Sequence, residues 1–599
     1  MPLDFRNVNS LWASVAVETL ARLGLTTAIV CPGSRSTPLT YAFAKHPTVE
    51  ALPILDERSA SFFALGCAKR QHRPVALVCT SGTAGANFYP AVIEAYESGV
   101  PLLIFTADRP PEMRACASGQ TIDQQKLFGN FVKHYTELSV PIAEVSMLAY
   151  LRQTLASAWA RSIAPQPGPI HFNCPFRDPL PPLPDGTAAA MENTFNEDDF
   201  FSAVRPPLPV VEQLNTTGQH SVLQLVEHWK QCPEGIIIAG PASPKDPFTY
   251  CKAVSQLAQQ LGWPVLAEGL SPLRNYAALN TSLISTYDIL LRKSERANSV
   301  VPKQVIQLGP LPISKVLRQW LSAVAPQRWI VGPGRNLDPL HGPTHFLTTD
   351  IETLCAQLQS DEKSVAETSP QSSNFSGTYS QRWITYEKEI RQQLDDTLAN
   401  EMRLVESKVV WLLSKHLPEC TPLFIANSMP VRDVEYFWQT NNRYRQPVFS
   451  RGANGIDGTL STAMGLAHHN APTVLLTGDL AFLHDTNGLL NASWLSGHLT
   501  IVLINNGGGG IFEMLPIAQF EPEFEKYFVT PQVVDFATLC KTYRLEYRRI
   551  EHVRDLINCI EVLPETGVRL LEVRCCQEGS LKQGRKQSVH QRKEILDSL

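Results

Sequence analysis

Two short runs in the last third of the chain, Gly478-Asp479-Leu480 and Asn505-Asn506-Gly507-Gly508-Gly509-Gly510, carry the donor types that a hard divalent cation needs. A carboxylate (Asp479), a side-chain amide (Asn506) and a backbone carbonyl (Gly508) are oxygen ligands that suit Mg²⁺ or Mn²⁺, with phosphate oxygens and water completing the octahedron. The glycine run lets backbone N–H groups come close to a diphosphate. Each run follows an apolar stretch, Thr473–Thr477 and Thr500–Asn505, that reads as a buried parallel strand. The separation of 27 residues (506 − 479) accommodates a crossover, with a helix expected over Asp485–Leu495. Both runs therefore fall at the carboxyl ends of neighbouring strands, where open α/β sheets take their ligands. Either run alone reads as a turn; the pair at this spacing reads as a metal-diphosphate site.

The pair resembles the metal motif of thiamine-diphosphate enzymes, Gly-Asp-Gly followed by Asn-Asn, with Leu480 standing where the wider superfamily usually has Gly. No GxxxxGK[ST] run competes, and Gly452-Ala-Asn-Gly455-Ile-Asp-Gly458 is not GxGxxG. Thiamine chemistry needs a second site. A carboxylic acid in an apolar pocket must hydrogen-bond the pyrimidine nitrogen so that the exocyclic amine can take the thiazolium proton. Glu57, in Leu55-Asp56-Glu57-Arg58 directly after a strand expected over Ala51–Leu55, supplies that acid, with Phe62 and Phe63 a turn further on. By itself this run is a helix N-terminus exploiting the dipole; beside the metal motif it reads as the activating acid.

At 599 residues the chain exceeds one core, and the elements that must position these groups fall into three α/β regions. Strands are expected at Thr27–Cys31, Ala51–Leu55, Val75–Thr80 and Leu102–Thr106, with helices such as Ser59–Lys69 and Ala84–Glu97 between them. Residues 179–220 open with Pro-Leu-Pro-Pro-Leu-Pro and read as a linker. Strands recur at Gly235–Ala239, Val265–Glu268, Val305–Leu308 and Trp329–Val331; the polar stretch Ser360–Thr378 reads as a second linker. After it come Leu423–Ala426 and the two metal-motif strands. The fold expected is three consecutive doubly wound parallel-sheet domains, over residues 1–185, 215–358 and 395–585.

Composition narrows the partners. Hydrophobic residues make up 44% and charged ones 18%, as in an ordinary globular protein, and a net charge of −5 gives no reason to expect nucleic acid or a membrane surface. The 13 cysteines include no CxxC pair, and adjacent Cys575 and Cys576 suit neither zinc nor a disulfide, so reduced thiols in a cytoplasmic protein are expected. No secretory signal and no apolar span long enough for a membrane is expected.

Further motifs narrow the thiamine class. Cys31-Pro-Gly-Ser-Arg-Ser-Thr-Pro38, Thr80-Ser-Gly-Thr83 with Asn87 and Pro90, and Thr106-Ala-Asp-Arg-Pro-Pro-Glu112 resemble the 2-succinyl-5-enolpyruvyl-6-hydroxy-3-cyclohexene-1-carboxylate synthase family. So do Gly119-Gln120, Asn427-Ser428 with Arg432, Arg451-Gly-Ala-Asn-Gly-Ile-Asp-Gly458 and Ile511-Phe512. The likeness spans the first and last regions and is loose in the middle. It implies decarboxylation of 2-oxoglutarate and 1,4-addition of the succinyl-semialdehyde carbanion to isochorismate, in menaquinone or phylloquinone biosynthesis. It also implies that Ser428 and Arg432 hold the succinyl carboxylate, that Arg35, Arg109, Gln120 and Lys315 receive isochorismate, and that Arg451 lies beside the first adduct. The planar guanidinium fork suits such polyanions. Ser34, Thr83, Asn87, Asn427, Gly478 and Leu480 would contact the cofactor; Ile456 would prop it in a bent form, with Ile511, Phe512 and Leu515 as the apolar wall. Gly507 and Gly510 stand where the family carries Asn and Gln.

Because Glu57 and the metal motif lie in different regions, the resemblance implies a homodimer or homotetramer with active sites between subunits. Catalysis without histidine fits it too: the only His-His pair, His468-His469, falls on a helix end where the dipole explains it. Two other readings stay open at this point. One is another thiamine carboligase or decarboxylase, whose middle domain would hold a flavin and turn the protein yellow; the other is a non-catalytic cofactor-binding subunit.

Overall fold

The strand runs read above form three six-stranded sheets in which every neighbouring pair is parallel; a computed structural model describes residues 3–206, 222–365, 378–574 and 581–599. The first sheet comprises β1 (Thr27–Val30), β2 (Glu50–Pro53), β3 (Val75–Cys79), β4 (Leu102–Asp108), β5 (His134–Glu137) and β6 (Ile170–Pro175), in the order β2-β1-β3-β4-β6-β5. The second comprises β7 (Gly235–Ala239), β8 (Val265–Ala267), β9 (Leu283–Ile284), β10 (Gln304–Leu308), β11 (Gln327–Gly332) and β12 (Thr344–Thr348), in the order β12-β11-β10-β7-β8-β9. The third comprises β13 (Pro422–Ile425), β14 (Gln446–Phe449), β15 (Thr473–Gly478), β16 (His498–Asn505), β17 (Glu546–Ile550) and β18 (Gly567–Arg574), in the order β14-β13-β15-β16-β18-β17. Each domain is thus an α/β layer structure whose central strands are buried on both faces, which is why those expected above read as continuous apolar runs.

Six helices bear on the site: α1 (Glu57–Gln71), α2 (Lys315–Val324), α3 (Met429–Phe437), α4 (Thr459–Ala467), α5 (Asp479–His484) and α6 (Leu581–Ser598). The first and third sheets share one hydrophobic cluster, and the second and third share another. Between the first and third, α1 and α4 meet backbone to backbone. A Cβ on Gly66 would stand 2.0 Å from the carbonyl oxygen of Thr462, and one on Gly465 would stand 2.0 Å from that of Phe63, so both positions require glycine.

Three expectations need correction. The crossover from β15 to β16 is α5, which starts at Asp479 itself, followed by 3₁₀ turns over Thr486–Trp494, and not one helix over Asp485–Leu495. Asp485 interrupts it: its buried carboxylate accepts from the N–H (2.7 Å) and the hydroxyl (3.1 Å) of Ser461 on α4. The stretch after Pro179 is also no linker as far as residue 206. Phe200 and Phe201 are buried in the core of the first sheet and Phe195 packs against it, so three aromatic side chains outweigh the proline- and acid-rich composition. Residues 207–220, the later part of that stretch, lie outside the described residues, as do 366–377 of the second polar stretch and Cys575-Cys576. Residues 360–365 of the second stretch continue the helix Ile351–Val365. Among the described residues, no helix is long and apolar enough to cross a membrane.

Candidate active site

Pairing of β15 with β16 aligns Gly478 with Ile504, so Asp479 and Asn506 leave adjacent strands side by side. Asp479 Oδ1 accepts the N–H of Leu480 (2.8 Å) and Oδ2 accepts the N–H of Gly508 (2.8 Å). Leu480 sits in the first turn of α5 with helical backbone, so the position needs no glycine. Burial, with the charge of Glu406 adding to it, pushes the Asp479 carboxyl up to about 6. Asn506 donates through Nδ2 to Glu406 Oε1 (2.8 Å), which leaves its Oδ1 buried with no partner among the described residues. An orphaned amide oxygen beside a buried carboxylate and the Gly508 backbone is the donor set that a divalent cation would satisfy.

These groups form one end of a cavity of about 290 Å³. All the expected third-region residues line it except Leu515, which follows the 3₁₀ turn Gly510–Met514 and is 37% exposed. Asn427 and Ser428 follow β13, and Arg451 follows β14, so four neighbouring strand ends converge here. Asn427 is held by donating to the carbonyls of Ser450 (2.7 Å) and Gly455 (2.7 Å), and its own amide oxygen accepts from Arg451 Nη1 (2.8 Å). Arg432, on α3, donates to the Ser428 carbonyl (2.5 Å). Burial pulls both arginines below their ordinary value, and neither is bonded to a carboxylate among the described residues. Ser428, the N-cap of α3, has φ 73 and ψ −125, a conformation that costs a residue with a side chain about 1–3 kcal/mol.

The first sheet contributes a second group. Arg35, buried after β1, donates to the Phe176 carbonyl (2.9 Å); burial and the like charge of Arg109 lower it. Arg109, after β4, donates to the Ser81 hydroxyl (2.6 Å) and the Gly119 carbonyl (3.0 Å), while Gln120 Nε2 donates to the Ser81 carbonyl (3.0 Å). Ser34 and Thr83 are exposed on the neighbouring loops. Glu57, at the first turn of α1, and Asn87 line a separate cavity with Asn487, whose amide donates to Asp56 Oδ2 (2.7 Å). Within one chain, then, Glu57 and Asp479 do not share a cavity. Lys315 is exposed at the first residue of α2; Arg318, one turn on, instead lines a cavity of about 520 Å³ with Arg451 and Glu268.

Sequence reasoning missed Ser81, which ties Arg109 to Gln120, and Glu406, which orients the Asn506 amide. Ser81 lay inside a quoted motif and could have been found there. Glu406 lies 100 residues before Asn506 and carries no local signal.

Residues 12–127 match the family described as thiamine pyrophosphate enzyme, N-terminal TPP binding domain; residues 206–425 match its middle domain, and residues 432–573 its C-terminal TPP binding domain. The fold and these matches define a thiamine pyrophosphate enzyme. The chain is 54% identical over 578 residues to the 2-succinyl-5-enolpyruvyl-6-hydroxy-3-cyclohexene-1-carboxylate synthase of Nostoc sp., covering 96% of each chain. It is 53% identical over 582 residues to the synthase of the same name from Acaryochloris marina, covering 96% of this chain and 97% of that one. The chain belongs to the 2-succinyl-5-enolpyruvyl-6-hydroxy-3-cyclohexene-1-carboxylate synthase family, a family of transferases.

Proposed function

We propose that the chain decarboxylates 2-oxoglutarate and adds the remaining four-carbon unit to isochorismate in 1,4-fashion, using thiamine diphosphate with Mg²⁺ or Mn²⁺. The observation that carries the reading is the cavity itself. An unpartnered Asn506 oxygen and Asp479 lie at one end, and Arg432 and Arg451, free of any bonded carboxylate among the described residues, face the same space. When bound there, thiamine diphosphate supplies a nucleophilic carbon for a 2-oxo acid and a sink for the charge left when CO₂ departs.

The chain's own residues divide the remaining work. Asp479, Asn506 and the Gly508 carbonyl hold the cation, and Ile456, Ile511 and Phe512 exclude water from the cofactor. Ser428 and Arg432 take the distal carboxylate of 2-oxoglutarate, and Arg451 steadies the same substrate. Arg35, Arg109 and Gln120 bind isochorismate, with Lys315 completing the set from the start of α2. Glu57 holds a proton against the cofactor's pyrimidine nitrogen. Because Glu57 opens into a different cavity of its own chain, the reading places it in the site of a second copy, in a homodimer or homotetramer. A cytoplasmic location belongs to the same reading and accords with buried free thiols such as Cys31, Cys67 and Cys79.

The test mixes the protein with thiamine diphosphate, Mg²⁺, 2-oxoglutarate and isochorismate. Loss of isochorismate that requires 2-oxoglutarate is the expected result. Consumption of 2-oxoglutarate with isochorismate untouched would overturn the substrate assignment.

A further inference from the structure

Helix α6 is an anomaly by composition. Its sequence, LKQGRKQSVHQRKEILDS, is polar on nearly every face, yet it buries Arg585, Ser588 and Arg592 along one stripe together with Ile595 and Leu596. A surface helix normally turns an apolar stripe inward. Burying two guanidinium groups is costly unless each is fully paired. The helix also lies beyond residue 573, where the match to the C-terminal TPP binding domain ends.

Both arginines lead to the cation cradle. Arg592, 2% exposed, donates through Nε and Nη2 to the two oxygens of Asp433 (2.7 and 3.0 Å), and through Nη2 to Glu406 Oε2. Glu406 uses its other oxygen, Oε1, to accept from Asn506 Nδ2 (2.8 Å). That contact decides which end of the Asn506 amide faces the cation: with nitrogen on Glu406, oxygen must point into the cavity. Asp433 neighbours Arg432 on α3, so one guanidinium ties the substrate helix to the metal-ligand amide. Arg585, 1% exposed, donates to the Gly507 carbonyl (3.2 Å) and pairs with Glu513 (2.9 Å) and Glu525 (2.8 Å). The helix sits so close that a Cβ on Gly507 would stand 2.6 Å from Leu581 Cβ, which matches the glycine run to this helix.

We propose that Arg592 is a positioning residue for cation binding, acting through Glu406 on the orientation of the Asn506 amide, with α6 as the element that delivers it. The proposal rests on the reading of Asn506 as a metal ligand. Ligand-orienting partners of this kind are worth tenfold to a hundredfold in metal affinity. Arg592 Nη2 anchors Glu406 Oε2 and so fixes where Oε1 stands; without that anchor the Glu406 side chain can turn, and Asn506 Nδ2 loses its fixed acceptor.

The test titrates Mn²⁺ into the full-length protein with thiamine diphosphate present and reads free Mn²⁺ by its EPR signal, so turnover is not needed. Arg592→Met is expected to weaken Mn²⁺ binding at least tenfold. Because Arg592 acts through Glu406, adding Arg592→Met to Glu406→Gln should cost little more, so the double variant should bind within about threefold of Glu406→Gln alone. A lower thermal midpoint with unchanged Mn²⁺ affinity would show that Arg592 only fastens the helix, and would overturn the proposal. So would a further loss of tenfold or more when Arg592→Met is added to Glu406→Gln. If Arg592→Met does not fold, Arg592→Lys keeps the charge without the bidentate fork, and the same affinity-against-midpoint comparison decides. Failure of the wild type to bind Mn²⁺ under these conditions would instead refute the metal reading of Asn506, and this proposal with it.

Discussion

Ser428 holds a backbone conformation that a side chain resists, at the point where β13 hands over to α3 and where Arg432 folds back onto its carbonyl. Strain of this kind persists when its surroundings fix it, and it concentrates at binding sites. Ser428→Gly should therefore leave the protein as stable as before or more stable by about 1 kcal/mol, while raising KM for 2-oxoglutarate through loss of the hydroxyl. A lower unfolding midpoint in Ser428→Gly would contradict the strain. Glu57→Gln preserves shape and hydrogen bonding but cannot share a proton. Turnover should fall on the order of 10²–10⁴-fold, the usual worth of a positioned acid–base group, with cation-dependent cofactor binding largely retained; near-normal turnover would remove Glu57 from the mechanism. Asn506→Ala should abolish the cation dependence of thiamine diphosphate binding, which equilibrium dialysis with and without EDTA measures directly.

At the scale of elements, most central strands and the motifs at their carboxyl ends were legible because their buried runs are apolar without interruption. Central β6 and β18 were not, because buried His171 and Asn173, and Arg569 and Glu572, break their apolar runs. Of the edge strands β2 was read, but His134–Glu137 is half-buried throughout and Glu546–Ile550 mostly exposed, so neither of these shows an apolar run. The pairs Asp479–Asn506 and Arg109–Gln120 could be read because both partners sit in local runs. Long-range ties such as Glu406 to Asn506 have no such signature. The His468-His469 pair was a similar case. It does close α4, as its position on a helix end implied, but both rings also reach Glu50 at the start of β2, at 3.1 and 2.9 Å. The Ser496 N–H donates to His468 Nδ1 (3.1 Å), so the neutral ring presents its proton on Nε2 to Glu50. Hydrogen bonds from His468 and then His469 hold the Glu50 carboxyl down at about 2, below its ordinary 4.5. A depressed carboxylate stabilises the fold above its unfolded value and stops doing so as pH falls through its folded one. The thermal midpoint of the wild type should thus exceed that of Glu50→Gln at pH 7, and the gap should close between pH 4.5 and 2. A gap independent of pH would mean that packing, and not charge, joins β2 to α4.

For the whole molecule, the separation of Glu57 from Asp479 within one chain makes a sharp prediction about mixed assemblies. Glu57→Gln and Asp479→Asn homo-oligomers should each be nearly inactive. When the two variants are unfolded together and reassembled, hybrids should regain one intact site per dimer, about a quarter of wild-type activity for random pairing of two-fold symmetric subunits. No recovery in hybrids, shown to form by mass spectrometry, would place both residues in one subunit's site.

The contact between α1 and α4 reaches further than packing. Gly66 meets the carbonyl three residues before Gly465, and Gly465 meets the carbonyl three residues before Gly66, so an offset of 399 (465 − 66, and 462 − 63) maps each half of the contact onto the other. The two helices also join equivalent strands, the second and third, of sheets with the same order. The chain thus carries an internal dyad, a dimer written along a single polypeptide. The same offset takes Glu57 to Ile456, so corresponding positions hold a carboxylate in one half and an apolar side chain in the other. A pair of chains would present four related half-sites, and the carboxylate at one position against the apolar side chain at the other distinguishes halves that the shared fold does not.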